Sequence, residues 1–255
     1  MSLNYKKSGK GTPLIILHGL FGSLDNWQTL ARKFSEHFTV YLLDLPNHGR
    51  SPHFEKHNYE LLSEELLKFL DEQKIEKAHF IGHSMGGKAV MKFSLLHPER
   101  VLKQIIVDIA PKKYPRGHDE IFDAFFSLNL SAIEKREDAD TLMAEKISHA
   151  AIRQFLLKNL ERNADSENYE WKMNLEVLHR DYDEISAAIQ SKTSVDIPTL
   201  VIRGSRSDYV SDEDLKIFRQ MFPKTTMTDI ENAGHWVHAE APGELLTIVN
   251  RFLLD

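Results

Sequence analysis

A serine with a glycine two positions to either side carries the clearest chemical signal in the sequence. Ser84 lies within residues 80–88, FIGHSMGGK, where a short apolar run ends and a helical pattern begins. Gly82 and Gly86 omit the side chains that would crowd a sharp strand-to-helix turn. Such a turn projects the serine hydroxyl into a cleft and points the next amide, that of Met85, at charge developing beside it. The pattern predicts a nucleophilic serine.

The composition limits the chemistry that can accompany this serine. A serine hydroxyl is a weak nucleophile, so a positioned base must take its proton as it attacks a carbonyl carbon. The absence of cysteine excludes disulfides, thiolate metal sites and a cysteine nucleophile. The 13 histidines are scattered without a His-Glu-x-x-His spacing, so we expect no metal and no cofactor. The formal net charge of −6 disfavours a nucleic-acid partner, whose binding surface should be basic.

The sequence also gives an expectation about location. With 255 residues, 42% of them hydrophobic, the chain has the size and composition of a folded globular protein. No apolar run approaches the roughly 20 residues that span a bilayer, and the first residues lack the apolar stretch of a signal peptide. We therefore expect a cytoplasmic protein with no stable membrane association.

Alternating strand and helix signals must position the serine. Continuous apolar runs predict strands buried on both faces, and amphipathic spacing predicts helices between them. The predicted strands cover residues 14–19, 39–44, 77–81, 101–109, 198–204 and 225–230. This alternation predicts an α/β fold with a mostly parallel sheet flanked by helices.

The alternation stops between residues 112 and 196. A connection of that length in a compact domain should have structure of its own. Apolar residues at helical spacing fill the interval. The two clearest sets are Ile121, Phe122, Phe125 and Phe126, and Ile152, Phe155, Leu156 and Leu160. We therefore expect a helical cap over residues 112–196, inserted into a core formed by residues 1–111 and 197–255.

Four segments together resemble the α/β-hydrolase superfamily, and the resemblance covers nearly the whole chain. They are HGLFGS at residues 18–23, GHSMGG at 82–87, DIAP at 108–111 and AGHWVHA at 233–239. Within the superfamily, the chain is most similar to the small bacterial carboxylesterases related to abhydrolase-domain proteins. The resemblance implies an eight-stranded sheet with the cap inserted after the sixth strand, and hydrolysis of ester-like bonds.

The resemblance implies a base near the end of the chain, because the family orders serine, acid and histidine along the sequence. His235 fits this position, in a loop between the last predicted strand and the last predicted helix. His238, three residues further on, is the less favoured alternative. His18 and His83 have no spacing that would make them bases, and we expect them to hold loops by hydrogen bonds.

Two aspartates are candidates for the acid that supports the histidine. Asp108 ends a predicted strand at the carboxyl edge of the sheet, where the active sites of open α/β sheets gather. The resemblance favours it, since some family members take their acid from this strand. The commoner acid position, three residues after Gly204, holds Ser207, and Asp208 is displaced from it by one residue. Asp208 therefore remains the alternative acid.

The remaining site assignments concern the oxyanion and the substrate. The resemblance assigns the two oxyanion donors to the backbone amides of Leu20 and Met85. Aromatic side chains beside the motifs are candidates for an apolar acyl pocket. These candidates are Phe21, Tyr209 and Trp236, with Phe122 and Phe125 on the underside of the cap.

Together these residues predict a serine carboxylesterase that hydrolyses small, short-to-medium acyl esters through an acyl-enzyme on Ser84. Acyl-CoA thioesterase, carbon–carbon bond hydrolase and perhydrolase activities are compatible with the same triad and remain open. A non-catalytic ligand-binding protein on this fold is a rival from another class. It is disfavoured because a serine, a histidine and two candidate acids are all present. The oligomeric state cannot be read from the sequence.

Overall fold

The computed structural model describes residues 2–164 and 168–255. Its strands are β1 Tyr5–Ser8, β2 Pro13–Leu17, β3 Thr39–Leu43, β4 Ala78–His83, β5 Val101–Val107, β6 Leu160–Arg162, β7 Tyr169–Trp171, β8 Thr199–Gly204 and β9 Thr225–Ile230. Its α-helices are α1 Gln28–Phe34, α2 Tyr59–Glu72, α3 Met85–Leu96, α4 Asp119–Ser127, α5 Arg136–Met143, α6 Ala150–Leu156, α7 Leu175–Arg180, α8 Tyr182–Ser186, α9 Asp214–Met221, α10 Val237–Glu240 and α11 Pro242–Leu254. Within these ranges, no helix has both the length and the apolar character needed to cross a membrane.

The main sheet has the order β1-β3-β2-β4-β5-β8-β9. Strand β1 runs antiparallel to β3, and the other neighbouring pairs are parallel, which confirms the predicted α/β fold. The described residues give this sheet seven strands rather than the eight that the resemblance implied. The long insertion therefore follows the fifth strand, β5, and not the sixth. Sequence patterns missed β1 because its residues, YKKS, are mostly exposed and form no apolar run.

The apolar runs of the central strands are buried on both faces of the sheet. In β2, Leu14 and Ile16 pack in the layer that contains residues of α1 and α11. Their neighbours Ile15 and Leu17 pack on the opposite side, with residues of α2 and α3. Because successive side chains point to opposite faces, a strand covered on both sides must be apolar throughout. This explains why the run in β2 shows no alternation.

The insertion between β5 and β8 is not purely helical. It contains α4 to α8 and also a two-stranded antiparallel sheet, in which Glu161 lies opposite Glu170. The predicted helix that included Leu160 was too long, because α6 ends at Leu156 and Leu160 begins β6. The side-chain amide of the buried Asn159 donates to the carbonyl oxygens of Phe21 (2.7 Å) and Leu156 (3.1 Å). These bonds stabilise the chain where it leaves the helix.

Helix α3 approaches the end of β2 closely at Gly86. A Cβ atom on Gly86 would lie 2.5 Å from the carbonyl oxygen of His18 and 2.7 Å from that of Leu17. Both contacts are to backbone, which cannot rotate away as a side chain could. The start of the helix can therefore rest on the strand only where a residue without a side chain stands.

We expect Gly86→Ala to lower the free energy of unfolding by about 1–3 kcal/mol, since it overpacks a rigid contact. Gly243→Ala is the matched control, because Gly243 is exposed in the first turn of α11 and a Cβ there would meet no atom within 4 Å. Alanine is the better helix former, so this control should gain up to about 1 kcal/mol. Urea denaturation followed by circular dichroism measures both. Equal stability of the two variants would contradict the packing argument.

Candidate active site

Ser84 lies at the turn between β4 and α3, with a backbone conformation (φ 52°, ψ −122°) that is rare for residues other than glycine. Its N–H donates to the carbonyl oxygen of Val107 on β5, at 3.0 Å, which fixes the turn to the neighbouring strand. A Cβ on Gly82 would lie 2.3 Å from the carbonyl oxygen of Gly86, so the bend excludes a side chain there. The strained turn is the predicted arrangement for a nucleophilic serine.

The structure brings His235 and Asp108 together. The Nδ1 atom of His235 lies 2.8 Å from Oδ2 of Asp108, and the Asp108 side chain is completely buried. The other carboxylate oxygen, Oδ1, accepts from the N–H of Gly204 at 3.1 Å. Asp208, the alternative acid, is exposed, and within the described residues the carboxylate hydrogen-bonded to His235 is that of Asp108.

Ser207 contacts the acid although sequence reasoning gave it no role. Its hydroxyl donates to Oδ2 of Asp108, the oxygen that also binds His235. In the sequence, Ser207 was notable only because it stands where the family commonly has a carboxylate. The serine hydroxyl was the signal that could have revealed this role, since a hydroxyl at this position can donate to an acid on the neighbouring strand. The register explains the contact, because Val107 pairs with Ile202 and so brings the end of β5 beside the end of β8.

The loop that carries His235 is held from two sides. Nε2–H of His83 donates to the backbone carbonyl oxygen of His235 at 2.8 Å. The ring of Tyr209 stacks on the His235 imidazole, with ring centroids 3.9 Å apart and an angle of 19° between the planes. These contacts restrict the orientation of the imidazole, so that Nδ1 faces Asp108.

The amides of Leu20 and Met85 are available as donors. Within the described part of the chain, neither N–H donates to a protein acceptor. His18 holds the first of these loops, since its Nδ1–H donates to the carbonyl oxygen of Gly19 (2.8 Å) and its Nε2 accepts from the N–H of Leu45 (3.0 Å). Leu20, Met85 and Ser84 line the same cavity. The arrangement could bind a negatively charged oxygen beside the serine.

Two cavities meet at Ser84 and Leu20. A narrow one of about 50 Å³ is lined by Phe21, Trp236 and His235, among other residues. A larger one of about 300 Å³ extends past Met85 and is lined by Tyr209. Three of the predicted pocket residues, Phe21, Trp236 and Tyr209, therefore line the space around the serine.

Phe122 and Phe125 line neither of these cavities, which differs from the sequence-based expectation. Both side chains are fully buried, and their rings pack edge-on against Phe21 with centroids 5.1 and 5.3 Å away. Their helical spacing correctly indicated an apolar helix face. That face packs into the core behind Phe21, so it supports the cavity wall from outside.

Comparison with known proteins decides the family. A family model described as the alpha/beta hydrolase fold matches residues 12–242. The chain belongs to the α/β-hydrolase family. It is 39% identical to Esterase YbfF of Escherichia coli (96% of this chain, 94% of that protein) and 33% identical to the sn-1-specific diacylglycerol lipase ABHD11 of Mus musculus (94% and 80%). The solved structure of a marine microorganism esterase matches with a TM-score of 0.96 and 39% identity, covering 98% of this chain and 99% of that one. The predicted resemblance is confirmed.

Several histidines around the site of this hydrolase are kept neutral by burial. Burial lowers the pKa of His18, and it lowers the pKa of His83 well below its ordinary value. The pKa values of His118 and His238 fall to about 4, also mainly because of burial. These rings therefore add no positive charge beside His235 at neutral pH. Among the described residues, no group of three or more His, Asp or Glu side chains could hold a metal ion.

His238 should make the stability of this hydrolase depend on pH. Its ring is buried, stacks on Trp27 with centroids 4.8 Å apart, and leaves Nδ1 without a partner. Its pKa is about 4 in the folded chain, against 6.5 for an ordinary histidine. Between these values the unfolded chain binds a proton that the folded chain does not. The free energy of unfolding therefore falls as the pH falls from 6.5 to 4, by about 1.4 kcal/mol per pH unit for this residue.

We expect His238→Phe to make the decline in this pH range shallower by about that amount, because phenylalanine keeps the stacked ring but takes up no proton. His37→Phe is the control, since His37 is exposed. Urea unfolding at several pH values between 4 and 7 measures the slope. A slope that is the same in wild type and His238→Phe would contradict the assignment.

Proposed function

We propose that the protein is a serine carboxylesterase that forms an acyl-enzyme on Ser84, with His235 as acid and base and Asp108 as the supporting carboxylate. The observation that carries the proposal is the 2.8 Å contact between His235 Nδ1 and the buried Asp108, beside a strained serine that lines the same cavity as His235. The names of the similar proteins, esterase and diacylglycerol lipase, support ester bonds as the class of substrate.

Acylation begins when Nε2 of His235 takes the proton of the Ser84 hydroxyl. The serine oxygen then attacks the ester carbonyl carbon, and the amides of Leu20 and Met85 donate to the oxyanion that forms. Asp108 stabilises the imidazolium without taking its proton. The tetrahedral intermediate expels the alcohol, which receives the proton from Nε2, and the acyl group stays on the serine oxygen.

Deacylation repeats the same steps with water. Nε2 of His235 takes a proton from a water molecule, whose oxygen attacks the acyl carbon. The second oxyanion is bound by the same two amides, and its collapse releases the carboxylic acid while Ser84 regains its proton. Because the buried histidines nearby are neutral, the developing imidazolium meets the charge of Asp108 without like-charge repulsion.

We propose that the cavity of about 300 Å³ receives the acyl group. Its size is at the lower limit for small-molecule pockets, about 300–1,000 Å³, which supports short-to-medium acyl chains. We also propose that residues 112–196 form a cap over the core of residues 1–111 and 197–255. Ile152 and Phe155 from the insertion line the narrow cavity together with Ser84, which supports this division.

The acid assignment predicts different outcomes for two matched variants. Asp108→Asn should lower kcat on a nitrophenyl ester by about 10⁴-fold, because the imidazolium loses its counter-charge and the ring its favoured tautomer. Asp208→Asn should retain near-normal kcat, since the Asp208 carboxylate does not contact His235. Because Asp208 lines the cavity proposed for the acyl group, any effect should be on KM. Steady-state kinetics decides between them, and the reverse pattern would assign the acid to Asp208.

The nucleophile assignment is tested with Ser84→Ala, which should lower kcat by about 10⁶-fold. The substrates are nitrophenyl esters of increasing acyl length beside the corresponding acyl-CoAs. A preference for the acyl-CoAs would replace the carboxylesterase proposal with a thioesterase. Undiminished hydrolysis by Ser84→Ala would overturn the mechanism, and a wild-type protein that a fluorophosphonate does not label at Ser84 would indicate a non-catalytic protein.

A further inference from the structure

Lys88 lies on α3, one helical turn after Ser84, and it is a buried amine that the proposed mechanism does not use. Burial lowers its pKa to about 7. Only 1% of the residue is exposed, yet it lines the larger cavity together with Ser84 and Met85. Lysine is rarely buried to this degree, because an ammonium group loses its hydration inside a protein. Its hydrogen bonds must therefore compensate for that loss.

The protein satisfies all the donors of this ammonium group. Nζ of Lys88 donates to the carbonyl oxygens of Lys112 (2.9 Å), Ser186 (3.1 Å) and Ala187 (2.6 Å). It also lies 4.8 Å from the centre of the Tyr114 ring, within range of a cation–π interaction. An ammonium group has three N–H donors, and three carbonyls accept them. No donor is left for a substrate.

The three carbonyls belong to the two chain segments that connect the insertion to the core. Lys112 follows β5 closely, whereas Ser186 and Ala187 are at the carboxyl end of α8. The last carbonyls of a helix lack partners within it, and a cation is favourable there. Lys88 therefore binds the first residue of the insertion and the end of its last helix, α8, at the same point.

The two connecting segments are also bonded to each other. The N–H of Tyr114 donates to the carbonyl oxygen of Ser186 at 3.0 Å, and the N–H of Ile189 donates to that of Pro111 at 2.8 Å. We call this pair of segments, residues 111–114 and 185–189, the stem. Tyr114 and Ser186 of the stem line the larger cavity together with Ser84 and Met85 of the serine turn. The position of the stem thus affects the size of that cavity.

We propose that Lys88 is a positioning residue that clamps the stem to the nucleophile helix and thereby sets the acyl length that the cavity accepts. The predicted effect on acyl length rests on the proposed esterase function. The clamping of the stem by Lys88 does not. Helix α3 supplies the Met85 amide at one end of the acyl group, and through Lys88 it holds the wall at the other end. The distance between the oxyanion donor and the cavity wall is therefore fixed by a single helix.

The test compares Lys88→Met with Lys92→Met. Methionine has a side chain of similar length without charge or donors. Lys92 is the matched control, because it lies one turn further along α3 and pairs at 2.6 Å with the largely exposed Glu60 on α2. We measure kcat and KM separately on nitrophenyl acetate, butyrate and octanoate.

We expect Lys88→Met to lower kcat/KM for butyrate and octanoate by about tenfold, the scale of one misplaced methylene contact, mainly through a higher KM. Acetate should be affected least, since it does not reach the stem. Lys92→Met should keep the wild-type length preference. An equal loss for all three esters, or none, would overturn the proposal. Mono-nitrophenyl succinate, whose acyl group ends in a carboxylate, is measured beside them. A loss confined to this ester would also overturn the proposal and would assign Lys88 to substrate binding.

Hydrogen exchange tests the clamp without any substrate. In Lys88→Met, the amides of Tyr114 and Ile189 should exchange about tenfold faster, because the stem opens locally more often. They should be unchanged in Lys92→Met, and unchanged exchange in Lys88→Met would overturn the clamp. If wild type hydrolyses none of the esters, the esterase proposal fails while this measurement still decides the clamp. If Lys88→Met does not fold, Lys88→Gln, which keeps N–H donors without charge, replaces it. The same changes in ester preference and amide exchange are then expected.

Discussion

The buried carboxylate of Asp108 is the constraint on which the site depends. A carboxylate with no exposure must find its partners within the protein, and Asp108 finds three of them on two segments, residues 204–207 and the His235 loop. Gly204 ends β8, Ser207 follows it in the next loop, and His235 comes from the loop after β9. Each partner must therefore keep its position for the charge to remain satisfied. The same bonds that stabilise the carboxylate also fix the imidazole.

This constraint explains the backbone at the end of β5. Asp108 has a positive φ of 51°, which is unfavourable for a residue with a side chain. Its N–H nevertheless donates to the carbonyl oxygen of Ile202 at 2.8 Å, so the strand pairing continues up to the residue that turns. Ser84 shows the same combination, a strained residue whose N–H is bonded to the neighbouring strand. The sheet thus supplies the stability that holds two strained residues at its carboxyl edge.

Other polar groups around Asp108 and Ser84 are also buried. His18 bonds to the backbone of Gly19 and His83 to that of His235, and burial keeps both rings neutral. Lys88 is buried in a different way, because its Nζ donates hydrogen bonds to three backbone carbonyl oxygens. In each case a buried side chain bonds to the backbone of a loop or of a connecting segment.

The sequence by itself determined the strands of the sheet interior, the serine turn and the family. These signals are local: β2 and β4 are continuous apolar runs, and Gly82 and Gly86 are required within a few residues of Ser84. The polar edge strand β1 and the small sheet of the insertion lacked such a pattern, so they were missed. Helical spacing also showed that Phe122 and Phe125 share a face, but not which layer that face meets.

Only the tertiary structure decided which residues meet across long stretches of chain. Asp108 lies 127 positions from His235 and 99 from Ser207, so their contact depends on strand register rather than on any nearby residue. The pairing of Val107 with Ile202 brings Asp108 beside Gly204 and leaves Asp208 exposed. Lys88 meets the stem for the same reason, since its acceptors are 24 to 99 positions away. A sequence pattern can identify residues of this kind, but the distances between them are set by how the strands and helices pack.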